Sequence, residues 1–223
     1  MIETQDTGTK ARLLHTGRKV FAENGLKNAT IRDICGLAGA NVASVNYHFG
    51  GKEKLYVAVL QDYIERENRR NPRDKGVTRD SSPEMRLRAY VRSLLLQTLG
   101  DGTLENERLG KLLTLEFIEP SQLFGELFEK HCRETHNLLL DIVRAALPGA
   151  DESIVSRCAS SIIGQCVLFD FAKEAMSRMN PALVLEPGTI DEITDFIMQF
   201  SLGGMERLRA LLPHRQDASA TTL

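Results

Sequence analysis

The chain has 223 residues, enough for one ordinary domain with an appendage or for two small ones, each with a real apolar core. Hydrophobic residues at 42% and charged residues at 26% exclude a disordered or fibrous chain. A net charge of −2 excludes a polyanion-coating protein, but residues 1–70 hold 11 Lys/Arg against 8 Asp/Glu and the remainder 17 against 22, which sets a mildly basic head on an acidic body.

The predicted elements are helices throughout; no period-two alternation is sustained, so the fold class is all-α. A first helix over about 10–24 has Leu14, Gly17, Arg18 and Phe21 on one face and stops at Gly25. Thr30-Ile-Arg-Asp33 reads as a capping box opening a short helix over 31–38. Gly39-Ala40-Asn41 is a tight turn whose Asn41 caps a third helix over 42–48. A fourth starts near Lys52 and carries the apolar stripe Leu55, Tyr56, Val59, Leu60 and Tyr63. Polar residues 71–82 form a boundary. They divide the chain into an N-terminal unit, 8–70, and a C-terminal helical unit, 83–212, with helices expected over 83–99, 105–118, 121–147, 151–180 and 189–212. Asp151 and Thr189 are the expected caps of the last two.

The helices over 31–38 and 42–48 have the dimensions of a helix-turn-helix. Ile34, Leu37, Ala38, Val45 and Phe49 are expected to pack inward. The outward face of the third helix is then Val42, Ala43, Ser44, Asn46, Tyr47 and His48. Small side chains let the backbone approach a groove, and polar tips meet base edges or phosphates. Lys52, at a helix N-terminus where a cation disfavours the dipole, is placed to meet a phosphate.

Phe21-Ala-Glu-Asn-Gly25, Thr30-Ile-Arg-Asp-Ile34, Ala38-Gly39 and Tyr47-His-Phe-Gly-Gly-Lys-Glu-Lys-Leu55 resemble the DNA-binding domain of the TetR family of transcriptional regulators over about residues 10–65, with Asn46 where that family commonly has Tyr. Ser44-Val-Asn-Tyr-His-Phe-Gly-Gly-Lys52, Glu116-Phe-Ile-Glu-Pro120 and Ser161-Ile-Ile-Gly-Gln-Cys-Val167 resemble its CecR-type branch. The resemblance implies a homodimer joined through its last two long helices, with two recognition helices in adjacent major grooves of palindromic double-stranded operator DNA. It implies phosphate contacts from Thr30, Tyr47 and Lys52, and contacts on or near base edges from Arg32, Val42, Ala43, Ser44, Asn46 and His48.

In the C-terminal unit, Cys132 and His136 stand i,i+4 and share a helix face, but two residues do not make a metal site. Cys158 and Cys166 read as packed thiols. Glu116, Glu119, Arg157 and Gln165 are polar residues on apolar helices that face either a ligand or solvent. A small-molecule effector among the helices over 83–180 would be walled by Leu95, Leu113, Phe117, Phe124, Phe128, Cys132, Gln165 and Phe169, a lining suited to a hydrophobic molecule. In the helix after Lys52, Leu55, Tyr56 and Leu60 anchor the head while Tyr63 and Ile64 face the body. Ile162, Ile163, Val167 and Phe171, with Ile193, Ile197, Phe200 and Leu208, are the expected dimer stripes.

Nothing resembles a phosphate-binding Gly-rich loop, a nucleophile elbow or a zinc-protease helix, so neither an enzyme nor a cofactor is expected. The N-terminus shows no apolar signal region, no apolar run has the length of a membrane span, and the scattered cysteines suit a reducing compartment; the chain is expected in the cytoplasm, without a membrane partner. The reading is a ligand-responsive DNA-binding repressor. Its alternative is an architectural or co-regulatory DNA-binding protein without an effector.

Overall fold

A computed structural model describes residues 3–99, 103–122, 124–182, 185 and 187–212. Among these there are eleven α-helices and no strand. They are α1 (Glu3–Asn28), α2 (Ile31–Ala38), α3 (Val42–Phe49), α4 (Lys52–Arg70), α5 (Pro83–Thr98), α6 (Leu104–Ile118), α7 (Phe124–His131), α8 (Arg133–Ala146), α9 (Glu152–Phe171), α10 (Lys173–Met179) and α11 (Ile190–Leu211).

Local chemistry sets the α2–α3 unit. Thr30 Oγ1 accepts from the Asp33 amide at 3.1 Å and opens α2. Gly39, at φ 57°, closes it in the left-handed conformation that glycine adopts without a Cβ penalty. Asn41 Oδ1 then accepts from the Ala43 amide at 2.9 Å to open α3. Two cations from neighbouring elements satisfy carbonyls left open at helix ends. Arg12 Nε donates to Ala38 O at 3.1 Å, and Lys52 Nζ donates to Leu26 O at 2.9 Å and Ala29 O at 3.1 Å.

Several boundaries differ from expectation. α1 begins earlier, and Gly25 (φ 67°, ψ 179°) interrupts it rather than ending it. The helix expected over 121–147 is two helices breaking at Cys132, and that over 151–180 is two breaking at Ala172, with a break angle of 74° between α9 and α10. Asp151 caps α9, accepting from the Ile154 amide at 2.8 Å, but the Thr189 side chain does not cap α11, which a 3-10 turn at Pro187–Thr189 leads into.

Two cores form. One joins α5, α8, α9 and α11 through Leu87, Leu95, Leu139, Ile142, Ile162 and Ile197. The other is built on Leu13, Phe21, Ile34, Val45, Leu55 and Leu60, and it takes in Leu109 of α6 and Leu127 of α7. The head is therefore not sealed at residue 70; helices that follow the linker complete its core. No single described helix is long and apolar enough to cross a membrane.

Candidate nucleic-acid interface and ligand cavity

The helix-turn-helix presents its outer face as the sequence indicates. Val45 is fully buried and Phe49 packs partly against the head core, while Arg32, Val42, Ala43, Asn46 and Tyr47 are exposed and Ser44 and His48 are half-buried. Tyr47 stands out at 76% exposure, its ring edge-on to His48 at 5.0 Å. Leu37 departs from expectation: it does not pack inward but is 67% exposed. Lys10 of α1 lies over the Phe49 ring at 5.9 Å and brings a cation, unexpected from the motif alone, to the flank of α3.

Two of the expected phosphate contacts have partners within the chain. The Lys52 ammonium spends two of its three donors on Leu26 O and Ala29 O and keeps one. The Thr30 hydroxyl donates to Asp33 Oδ2 at 2.6 Å as well as capping α2.

Helix α4 leads from this head to a cavity. Its 19 residues span about 28 Å at 1.5 Å per residue, from Lys52 at the head to Tyr63, Ile64, Glu67 and Asn68 in the cavity wall. Along its length α4 is bonded to both sides. Asp62 accepts from Arg18 of α1 at 3.0 Å and from Arg66 at 3.0 Å, and Arg18 also approaches Glu105 of α6 at 3.7 Å. Tyr56 packs edge-on to Phe21 at 5.3 Å and reaches Glu116 of α6. Tyr63 donates to Gln97 O of α5 at 3.1 Å. Gly110 makes the α4–α6 approach possible: a Cβ there would come within 3.0 Å of the Tyr63 hydroxyl oxygen.

The cavity encloses about 250 Å³ between α4, α5, α6, α7, α8 and α9. Four expected wall residues line it, namely Leu113, Phe117, Phe128 and Cys132. Three do not. Leu95 is fully buried in the C-terminal core, Phe169 packs against that same core, and Gln165 turns to Ser201 Oγ of α11 at 3.2 Å. The Phe124 side chain lies outside the described residues. The polar part of the wall has His136, expected on the face of Cys132, and Glu67, Asn68, Arg73, Tyr90 and Gln97, which the sequence did not single out. Arg73 and Asn68 sit in and beside a polar stretch that reads as solvated, so only the folded linker shows them turned inward. Cys132 and His136 both line this wall, and among the described residues no group of three or more His, Cys, Asp or Glu could hold a metal.

Burial pushes the Cys132 thiol up to about 11 and the Cys166 thiol up to about 12, and it raises Tyr90; each is uncharged at neutral pH.

The dimer stripes are also redistributed. Ile162, Ile193 and Ile197 are buried inside the protomer. Of the expected stripes Phe171 and Phe200 do lie open at the surface, joined by Leu168 and Phe196, and the Phe196 and Phe200 rings stack at 6.4 Å.

Comparison with known proteins agrees with this architecture. Residues 13–59 match the family described as bacterial regulatory proteins, tetR family, and residues 83–205 match the C-terminal domain of the HTH-type transcriptional dual regulator CecR. The CecR protein of Shigella flexneri is 28% identical over 177 residues, covering 75% of this chain and 78% of that one. The HTH-type transcriptional repressor KstR2 of Mycolicibacterium smegmatis is 36% identical over 62 residues, 28% of this chain and 30% of its own. Among solved structures, a transcriptional regulator from Pseudomonas aeruginosa PAO1 superposes with a TM-score of 0.65 at 22% identity, covering 90% of this chain and 93% of that one. The regulator FadR of Bacillus subtilis, solved with stearoyl-CoA, gives a TM-score of 0.65 at 14% identity, covering 87% and 98%. With a tetR-type helix-turn-helix at its head and a CecR-type domain over more than half its length, the chain belongs to the TetR family of DNA-binding transcriptional regulators.

Proposed function

We propose that the protein is a cytoplasmic, homodimeric repressor released from a palindromic operator by a small, largely apolar effector. The observation that carries this reading is the course of α4, which bonds to the reading head through Lys52, packs on it through Tyr56 and forms the cavity wall at Tyr63 and Glu67. An effector that repositions the far end of α4 moves the two recognition helices, whose spacing on DNA must stay near one helical turn, about 34–36 Å.

On the DNA side, Tyr47 is the exposed donor for a phosphate, Lys52 reaches phosphate through the one donor its internal bonds leave, and Thr30, whose hydroxyl proton is spent on Asp33, reaches it only by giving up that bond. Arg32, Val42, Ala43, Ser44, Asn46 and His48 meet or flank base edges. On the effector side, Leu113, Phe117, Phe128 and Cys132 supply the apolar lining. The dimer forms through the open faces of α9 and α11, where Gly164, Gly203 and Gly204 leave room for close approach.

Selection of bound duplexes from a random DNA pool gives the site, its symmetry and its half-site spacing together. Operator affinity is then measured with and without a ligand found by thermal-shift screening. A saturable weakening of operator binding supports the reading. A tight ligand that leaves operator affinity unchanged favours a DNA-binding protein without an effector. Reciprocity requires saturating operator to weaken the ligand by the same factor.

A further inference from the structure

Arg73 leaves the 71–82 linker and lines the α4–α9 cavity, where it also borders a polar groove running along α8. Its guanidinium is fixed by neutral partners only. NH1 donates to Ser93 Oγ at 3.0 Å, NH2 donates to Gln97 Oε1 at 2.6 Å, and the Tyr90 ring lies 5.4 Å from its central carbon. Gln97 is itself held, donating to Asn68 Oδ1 at 3.1 Å and Asn71 O at 3.0 Å. Two of five donors are thus used, and Nε is buried with no hydrogen-bond partner.

A buried cation ordinarily sits against an anion, because its desolvation is otherwise uncompensated. Among the described residues no ion pair to Arg73 is present, and the groups that act on its charge are Tyr90, Cys166, Cys132 and Tyr63. Tyr90, Cys132 and Cys166 are held in their neutral forms by burial, so none supplies the charge. Arginine stays cationic at neutral pH. The cavity wall therefore carries a cation with no anion paired to it, beside a lining that includes Ile64, Leu94, Leu113, Phe117, Phe128 and Ile163.

We infer that the effector is an amphipathic carboxylic acid, bound with its carboxylate on the Arg73 guanidinium and its apolar body between α5, α6 and α7. The planar fork of the guanidinium matches a carboxylate in two parallel bonds. The volume, about 250 Å³, is just under the roughly 300–1,000 Å³ of ordinary ligand pockets and limits the body to a medium-length chain or a single substituted ring. This inference rests on the cavity being the effector site, but it concerns the chemistry that site selects.

The test is calorimetric titration of the full-length protein with matched acid and alcohol pairs, decanoate against decanol and para-tert-butylbenzoate against its benzyl alcohol. At least one acid is expected to bind tenfold or more tighter than its alcohol. Arg73→Met is expected to bring the pair within about twofold, with melting temperature recorded because Arg73 also ties the linker to α5. Arg73→Lys, which keeps the charge and loses the fork, should retain part of the preference. Alcohols that bind wild-type protein as well as the acids, or acids that bind in no pair, overturn the assignment without use of any variant. An acid preference that survives Arg73→Met places the anion elsewhere and overturns it too. Operator affinity in the presence of each ligand separates the two readings. Acids that bind through Arg73 and leave DNA binding unchanged contradict the switch and not the ligand class, whereas alcohols that release the operator contradict the ligand class and not the switch.

Discussion

Tyr56 donates its hydroxyl to Glu116 Oε1 at 3.4 Å, across 60 residues of sequence, while the other carboxylate oxygen of Glu116 accepts from the Ser121 amide at 3.1 Å. Tyr56 belongs to the head core and Glu116 to the end of α6 beside the cavity wall, so this buried pair joins the helix-turn-helix head to the helices that follow the linker. Tyr56→Phe keeps the edge-on contact with Phe21 and removes only the bond. It leaves Glu116 Oε1 buried and unsatisfied, at a cost of about 1–3 kcal/mol measured by denaturant unfolding. If the pair transmits the switch, effector-dependent release of operator DNA shrinks in this variant while effector affinity changes little. An unaltered release factor assigns the pair to stability alone.

Lys52 serves the fold through two carbonyls of the head. Its bonds to Leu26 O and Ala29 O are charge-assisted, and their removal in Lys52→Ala is expected to cost about 1–3 kcal/mol of stability. If the remaining donor also meets a phosphate, binding weakens on operator and non-operator DNA alike and the salt slope falls by roughly one unit. A lowered melting temperature with an unchanged slope confines Lys52 to holding the end of α1.

The head was legible in the sequence because its determinants are local. The Thr30 box, the left-handed Gly39 and the Asn41 cap act within four residues of themselves and fix the α2–turn–α3 unit without help from the rest of the chain. Leu37 was misplaced because an apolar residue next to a buried Ala38 reads as core, yet eight helical residues have only one inward face and Ile34 and Ala38 occupy it. The breaks at Cys132 and Ala172 carry no Pro or Gly and are set by tertiary packing, which periodicity does not report. The cavity was half legible. Leu113, Phe117, Phe128 and Cys132 follow from apolar spacing, whereas Arg73 lies in a linker whose composition signals solvent, and nothing short of the folded course of residues 71–82 turns it inward.

Asn46 and Ser44 differ from Lys52 in kind. On the exposed face of α3 neither carries charge, and the structure gives neither side chain an internal bond, so as the proposed base-edge contacts they act through sequence preference and not through charge. Asn46→Ala or Ser44→Ala is expected to relax preference at one or two operator positions by about 1–3 kcal/mol, with non-operator affinity and salt slope preserved. Competition binding against single-position operator variants reads this directly, and a uniform loss across all sequences contradicts it.

Burial of the thiols is expected to make the protein alkali-sensitive. In the unfolded chain a cysteine ionises near pH 8.5. In the fold, burial holds Cys132 up to about 11 and Cys166 up to about 12. Above pH 8.5 the unfolded state therefore binds fewer protons than the native one, and stability falls as pH rises toward the folded values. The melting temperature should be steady from neutrality to about pH 8 and decline beyond it, and Cys166→Ala should flatten the decline. A thiol reagent should reach half-buried Cys158 before Cys166, which is fully buried.

The assembly prediction turns on which apolar residues the protomer leaves uncovered. Ile162, Ile193 and Ile197 already sit in its own core, so replacing them unfolds the chain and says nothing about a partner. Leu168 and Phe171 on α9 and Phe196 and Phe200 on α11 are each more than half exposed, and four large apolar side chains on two neighbouring helices form a patch of the kind that marks an interface. Across a two-fold axis these faces meet as a four-helix arrangement in which each residue faces a copy of the same surface. A charge placed at Phe200 then meets itself or its neighbours in a desolvated setting. Phe200→Glu is expected to leave the helical content and the head intact and to convert a dimer into a monomer at micromolar concentration by sedimentation. It is also expected to weaken operator binding sharply, because two half-sites are then engaged independently rather than by one rigid pair. A monomeric wild-type protein, or a Phe200→Glu protein that remains dimeric, places the interface away from α9 and α11.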